Sequence, residues 1–185
     1  MEMALKAIAL QGRIVIVKLP KEMGLLDGLI IPGGESTVQC GLSAQNGVIS
    51  SIKERIRDGL PVMATCAGVI MLARNATDRA VCDMKLPLIG ALDVHIERNS
   101  FGRQRNSFET ELHIPVIGEE PFKGVFIRAP SIKSTGKGVE VLSKLDDQIV
   151  AVRERRLLGM TFHPELVKDL RLHEHFLRMI VAQSA

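Results

Sequence analysis

An α/β fold of three layers, with a mainly parallel central sheet and flanking helices, is predicted by three observations. Short runs rich in Ile, Val and Leu alternate with helical patterns along the chain. These runs are apolar enough to be strands buried between layers of helices. The chain has 185 residues, 46% of them hydrophobic and 24% charged, which suffices for one domain over residues 1–185 with a full core and no need of disulfides or a structural metal.

The elements follow in order. Residues 3–10 and 13–19 read as strands. Only Gln11 and Gly12 separate them, far short of the crossover that parallel neighbours require, so they form a tight antiparallel pair or lack a crossover helix. Residues 29–32 make a short buried strand that stops at Gly33-Gly34, and Ser36 suits the N-cap of a helix running to about Gln45. Residues 48–57 form a second helix with Val48, Ile49, Ile52 and Ile56 on one face, and Gly59 fits its C-terminal stop. A strand over 61–65 leads straight into Cys66 and then a helical stretch over 67–74. The second half is richer in strands, at 91–97, 107–114, 124–128, 139–144, 148–153 and 157–162, with polar turns such as Asp146-Asp147. A last helix of roughly 15 residues starts near Asp169, its apolar stripe made of Leu172, Phe176, Leu177 and Ile180.

Composition excludes several classes of function. No apolar run approaches the roughly 18 residues of a membrane span, and the first six residues lack the pattern of a secretion signal. The net charge of +3 is too small and scattered to predict nucleic-acid binding, and a chain with six Phe and no Trp or Tyr is short of base-stacking platforms. Three cysteines make no disulfide framework, so the expected setting is a reducing cytoplasm. Metal binding is not expected, because there is no Cys-x-x-Cys and no His-x-x-x-His pair. His173 and His175 are two apart in a helix and do not share a face; both, with His95 and His113, read as surface or satisfied structural histidines.

Three segments carry chemistry. In Pro61-Val62-Met63-Ala64-Thr65-Cys66-Ala67-Gly68 a strand meets a helix at Cys66 between small residues, the layout of a nucleophile elbow. The start of the helix favours the thiolate and offers N–H groups to an oxyanion. The competing reading is a buried structural cysteine, which is also the reading for Cys40 and Cys82. In Thr161-Phe162-His163-Pro164-Glu165 the proline disfavours helix at His163, and Glu165 can turn back on the imidazole. In Leu29-Ile30-Ile31-Pro32-Gly33-Gly34-Glu35-Ser36 a strand ends in glycines before a helix, where backbone N–H groups approach a bound oxygen; it is neither a Walker loop nor Gly-x-Gly-x-x-Gly.

With Ala9-Leu10-Gln11-Gly12, Glu97-Arg98-Asn99-Ser100-Phe101-Gly102-Arg103-Gln104, Ser107-Phe108-Glu109 and Gly124-Val125-Phe126-Ile127-Arg128-Ala129-Pro130, these segments resemble the class I (triad) glutamine amidotransferases. Within that class the chain is most similar to the glutaminase subunits of pyridoxal 5′-phosphate synthase, in the same order over nearly its whole length. The resemblance implies Cys66 as nucleophile, His163 as acid/base and Glu165 as its orienting partner. It implies glutamine-binding positions at Gly34, Glu35, Ser36, Arg98, Ile127 and Arg128, and oxyanion donors at Gly34 and Ala67. Glutamine is a zwitterion, so Glu35 suits its α-ammonium, while Arg98 and Arg128 are both open for its α-carboxylate. The implied reaction is hydrolysis of L-glutamine, with the ammonia handed to a separate synthase subunit that makes pyridoxal 5′-phosphate for vitamin B6 supply. A cofactor is not expected, and little activity is expected without the partner.

The chain departs from the family at Ala64, where glycine is usual, at Arg105-Asn106, and in lacking a helix after Leu10-Gln11-Gly12. The last departure leaves the role of Gln11 and the sheet edge open. Two other readings accompany the main one: the glutaminase of another synthase or a free-standing γ-glutamyl hydrolase, and a non-catalytic regulatory or binding subunit.

Overall fold

A computed structural model describes residues 1–78, 86–98 and 107–182. Cys82, Arg105, Asn106 and the Asn99–Gln104 part of the family motif lie outside the described residues. Helix α1 spans Glu2–Ala7, β1 Leu29–Ile31, α2 Ser36–Gln45, α3 Val48–Arg57, β2 Val62–Thr65, α4 Ala67–Leu72, β3 Ala73–Asp78 and β4 Leu92–Arg98. Then follow β5 Ser107–Leu112, β6 Phe122–Ile127, β7 Ser131–Thr135, β8 Glu140–Leu145, β9 Gln148–Glu154, β10 Leu157–Met160 and α5 Arg171–Val181.

Eight strands form one sheet in the order β1-β2-β10-β9-β7-β4-β3, with β8 added on β9. The sheet is mixed. β1, β2 and β10 run parallel side by side, as do β3 and β4. The strands between these groups, and β8, pair antiparallel. A separate ribbon joins β5 and β6.

The strand period of two builds a core on each face of the sheet. Val62 and Ala64 of β2 join Leu29, Ile31 and Leu157 under α2, α3 and α4. Met63, Leu158 and Met160 point the other way, to α5 and the β5–β6 ribbon. On α3 the predicted face buries Val48, Ile49 and Ile52, with Ile56 packed at its margin. On α5 the buried stripe is Leu172, His173, Phe176 and Leu177; each large apolar side chain so covered contributes about 1.5–3 kcal/mol. Phe126 stacks on Phe108 with ring centroids 4.7 Å apart and meets Phe162 at 5.6 Å, which ties the ribbon to the strand end bearing His163.

The N-terminal runs depart from expectation. Residues 3–10 were predicted as a strand, but Glu2–Ala7 is helical and buries Ala4 and Leu5 beside Leu177. Ala, Leu, Lys and Met are strong helix formers, and that preference prevails where no strand partner is at hand. Residues 13–19 form no strand, and Ile16 is 76% exposed. Neither an antiparallel pair nor a crossover helix therefore precedes β1, which is the terminal strand of its sheet. Two polar strands were missed, β3, which begins at the expected end of the 67–74 helix and runs past it, and β7, because neither has a clear apolar period.

Candidate active site

The central parallel strands all end on one side, and the three chemical segments follow those ends. Cys66 comes directly after β2, and its N–H donates to the Met160 carbonyl of β10 at 2.8 Å. Its backbone, at φ 47° and ψ −113°, lies where non-glycine residues are strained. The strain is sustained by close packing behind it. A Cβ on Gly68 would sit 2.1 Å from the Ile31 carbonyl oxygen, so only glycine lets α4 approach the end of β1. Cys66 is 7% exposed, with Sγ 3.7 Å from the Ile127 carbonyl oxygen.

Met160 is in register with Thr65, so the segment after β10 emerges beside Cys66. The His163 N–H donates to the Val125 carbonyl at 2.8 Å, and Pro164 opens a 3-10 turn, Pro164–Leu166, that brings Glu165 back under the ring. His163 Nδ1 lies 2.7 Å from Glu165 Oε1. That contact leaves Nε2 for the side of Cys66, whose sulfur is the largest influence raising the His163 pKa. With the Glu165 bond added, and burial opposing, the pKa rises to about 10. Burial is the largest influence on Glu165 and pushes its pKa up, but the bond to His163, a backbone hydrogen bond and the nearby positive charge together outweigh it, and the net shift is downward.

The loop after β1 closes the third side. A Cβ on Gly33 would lie 2.6 Å from His163 Cε1 and 3.2 Å from Cys66 Cβ, so this glycine too is required by close approach. The Gln39 side-chain amide donates to the Gly33 carbonyl at 3.2 Å and pins the loop. Ser36 was predicted as the N-cap of α2, but the cap is Glu35, whose carboxylate accepts from Val38 N at 2.8 Å and Thr37 N at 3.2 Å. The longer carboxylate reaches the free N–H groups, while Ser36 starts the helix and is buried. The Val38 bond is also the largest cause that lowers the Glu35 pKa.

A cavity of about 230 Å³ opens between these segments. It is lined by nine of the residues named from sequence: Gly34, Glu35, Ser36, Cys66, Ala67, Arg98, Ile127, Arg128 and His163. Glu165 stands behind His163. Ala67 is the first residue of α4, so its N–H has no partner within the helix and is available at the cavity. Ile70 and Pro130 also line the space, and Gln39, Thr37 and Asp78 support it. Pro130 closes the Gly124–Pro130 segment quoted above and Thr37 follows the Gly33-Gly34-Glu35-Ser36 segment directly, whereas Ile70, Gln39 and Asp78 lie in no motif that would have marked them.

Arg98 is not a lone cation. Its Nη1 is 3.4 Å from Asp78 Oδ2, and its Nη2 is 3.1 Å from Thr37 Oγ1 and 3.5 Å from Glu35 Oε1. Arg128 is exposed at φ 44° and has no ion-pair partner among the described residues.

The residues set aside from sequence are not at the cavity. Cys40 is fully buried in the core, and burial pushes its thiol up to about 11. His95 meets Thr77 at 3.0 Å and His113 is exposed. His173 and His175 differ from expectation: each has a buried ring nitrogen without a partner among the described residues, and burial lowers both pKa values. Among the described residues there is no His, Cys, Asp and Glu cluster able to hold a metal, and no helix long and apolar enough to cross a membrane.

Residues 2–182 match the SNO glutamine amidotransferase family. The chain is 48% identical over 165 residues to the pyridoxal 5′-phosphate synthase subunit PdxT of Nitrosopumilus maritimus, covering 89% of this chain and 80% of that protein. It is 46% identical over 179 residues to the protein of the same description from Methanosarcina acetivorans, covering 97% and 89%. Among solved structures, one described as a glutamine amidotransferase superposes with a TM-score of 0.85 at 39% identity, over 97% of this chain and 92% of that one. A chain of the PurLQS structure from Thermotoga maritima shares the fold, with a TM-score of 0.53 at 16% identity over 85% and 80%.

Proposed function

The chain belongs to the SNO glutamine amidotransferase family, and from that premise we propose that it is the glutaminase subunit of a pyridoxal 5′-phosphate synthase. It acts in the cytoplasm as one amidotransferase domain, hydrolysing L-glutamine through Cys66, His163 and Glu165 and passing ammonia to the synthase subunit. The observation that carries this reading is the convergence of a strained cysteine, a carboxylate-held histidine and side chains of both charges on one cavity of about 230 Å³.

The chemistry follows from the charges. The pKa of His163 keeps its imidazole protonated at neutral pH, as a thiolate–imidazolium pair with Cys66 requires. The thiolate attacks the side-chain amide carbon of glutamine, and the N–H groups of Gly34 and Ala67 hold the oxyanion. A donor of this kind typically lowers the barrier by about 2.7–4 kcal/mol. His163 gives its proton to the leaving nitrogen, and ammonia departs from a glutamyl thioester. The sulfur is now neutral, so the largest influence that raised the His163 pKa is gone. The imidazole, neutral after its transfer, takes a proton from water as the water attacks the thioester. Glutamate leaves, and the thiolate–imidazolium pair returns.

Free ammonia would be lost to water, which is the physical reason for a docked partner. The test is an assay of glutamate release and pyridoxal 5′-phosphate formation by the purified chain mixed with the synthase subunit. Glutamine should support both. Cys66→Ala should abolish both, while an ammonium salt restores the second. Cys66 that resists a glutamine-analogue electrophile even with the partner present would overturn the catalytic reading. Glutamate release at full rate without the partner would overturn the dependence on it.

A further inference from the structure

The free edge of β1 faces a gap in the fold. β1 is terminal in its sheet and pairs only with β2. The Leu29 N–H turns toward β2 and donates to the Pro61 carbonyl, so the alternation of the strand turns the N–H and C=O of Ile30 to the open edge. A second cavity, of about 780 Å³, is lined there by Ile30 and by residues 13–17. The backbone of residues 11–17 makes no hydrogen bond among the described residues. This segment is held at both ends. Gly12 packs on Leu5, and the Glu22 carboxylate accepts from the Lys18 and Leu19 N–H groups at 2.6 and 2.8 Å. Two unpaired backbones thus line one apolar cavity, the geometry of a sheet that lacks a strand.

One residue of a strand within a layered sheet occupies about 160 Å³, so a guest of about five residues fills this cavity. Met23, Val48 and Ile52 line it together with Phe176 and Ile180, so both faces of the guest must be apolar. The run Ile14-Val15-Ile16-Val17 has that character: it is β-branched throughout and uncharged, and Ile16 is 76% exposed. Residues 3–10 do not suit the gap, since Lys6 stands in their middle and Ala4 and Leu5 are buried beside Leu177. We propose that the guest is the 13–17 segment of a second copy, and that the chain forms a two-fold dimer by exchanging this segment. Each copy offers both the cavity and the strand that fits it, as a closed self-complementary interface requires. The order is then β1, the other copy's segment, the first copy's segment and the other copy's β1, one sheet running through both copies. Arg13 and Lys18 flank the run, and the two-fold axis brings Arg13 of one copy beside Lys18 of the other. Asp27, two residues before β1, lines the cavity and meets this basic pair whichever direction the guest takes. The dimer does not depend on the glutaminase reading.

The experiment is sedimentation velocity of the full chain alone, from about 1 to about 100 μM, with hydrogen exchange on the same samples. The wild-type chain should reach twice its mass of 20.3 kDa, with the amides of Ile30 and residues 14–17 protected in the dimer. Ile16→Glu should weaken the dimer at least about a hundredfold, because it puts an unpaired carboxylate between the layers. Its exposure in the single copy means that the variant should keep the far-UV CD spectrum and the Cys66 alkylation rate of the wild type. Asp27→Lys, which sets three cations together, should weaken the dimer about tenfold, and it carries the comparison if Ile16→Glu does not fold. A wild-type chain that stays at 20.3 kDa up to about 100 μM overturns the proposal, and protected amides in that monomer would place a strand of the same chain in the gap. A dimer that both variants leave intact, or in which those amides exchange as in the monomer, overturns it by locating the interface elsewhere.

Discussion

His163 Nδ1 and Glu165 Oε1 are 2.7 Å apart across a single proline, so the turn that follows β10 builds this imidazole–carboxylate pair locally. Glu165 is one of the two groups that hold the imidazolium, after Cys66. Glu165→Gln keeps the shape and removes the charge. The His163 pKa should fall, moving the alkaline limb of the kcat/KM profile to lower pH, and kcat should drop by about 10²–10⁴-fold. A profile that keeps its alkaline limb in place would show that Glu165 does not act on the ring.

The same shift has a consequence for stability. A folded-state pKa of about 10, above the ordinary 6.5, means that the folded chain holds its proton more tightly than the unfolded one. The stabilisation is fully present below about pH 6.5 and is lost as pH rises through about 10. In urea unfolding, the difference between wild type and His163→Gln should be greatest near pH 6 and shrink steadily toward pH 10. A difference that grows with pH would contradict the ion pair.

Gly68 is where the elbow meets the end of β1. In Gly68→Ala the new methyl group would lie 2.1 Å from the Ile31 oxygen, a backbone atom that cannot swing aside. Helix α4 must move, and Cys66 with it. Overpacking of this kind costs about 1–3 kcal/mol or more. The variant should show a lower Tm and slow alkylation of Cys66; a wild-type alkylation rate would mean that α4 does not set the nucleophile.

The backbone strain at Cys66 can be measured separately from its chemistry. Both Cys66→Ala and Cys66→Gly should lose glutaminase activity. At φ 47° and ψ −113° alanine keeps the strain and glycine relieves it. Relief of about 1–3 kcal/mol exceeds the roughly 0.4–1 kcal/mol that glycine loses through its freer unfolded chain. Chemical denaturation should therefore find Cys66→Gly more stable than Cys66→Ala by about 1 kcal/mol.

The chemistry of the site was legible because each part is local. A strand running into Cys66 between small residues, His163 before a proline with Glu165 next, and Gly33-Gly34 at a strand end are short-range signals, and the chain folds there as they predict. Helices α2 and α3 were legible for the same reason, since a helix makes its hydrogen bonds within its own segment. The cap of α2 was misassigned by one residue because Glu35 and Ser36 both present oxygens, and only the bonds to Thr37 and Val38 distinguish them.

Sequence by itself determined the layered α/β class, the strand ends that bear Cys66 and His163, and most of the side chains that line the cavity. Tertiary structure decided what depends on partners far along the chain. Residues 3–10 and 13–19 have apolar content enough for strands, yet a strand exists only where another offers its edge, so the first became a helix on α5 and the second stayed unpaired. Arg98 reads as a cation in any sequence. The fold places Asp78, twenty positions earlier, and Glu35, on another element, beside its guanidinium. Hydrogen-bond partners within one turn are written in the local sequence; strand pairing and charge neutralisation are settled only when the fold brings distant residues together.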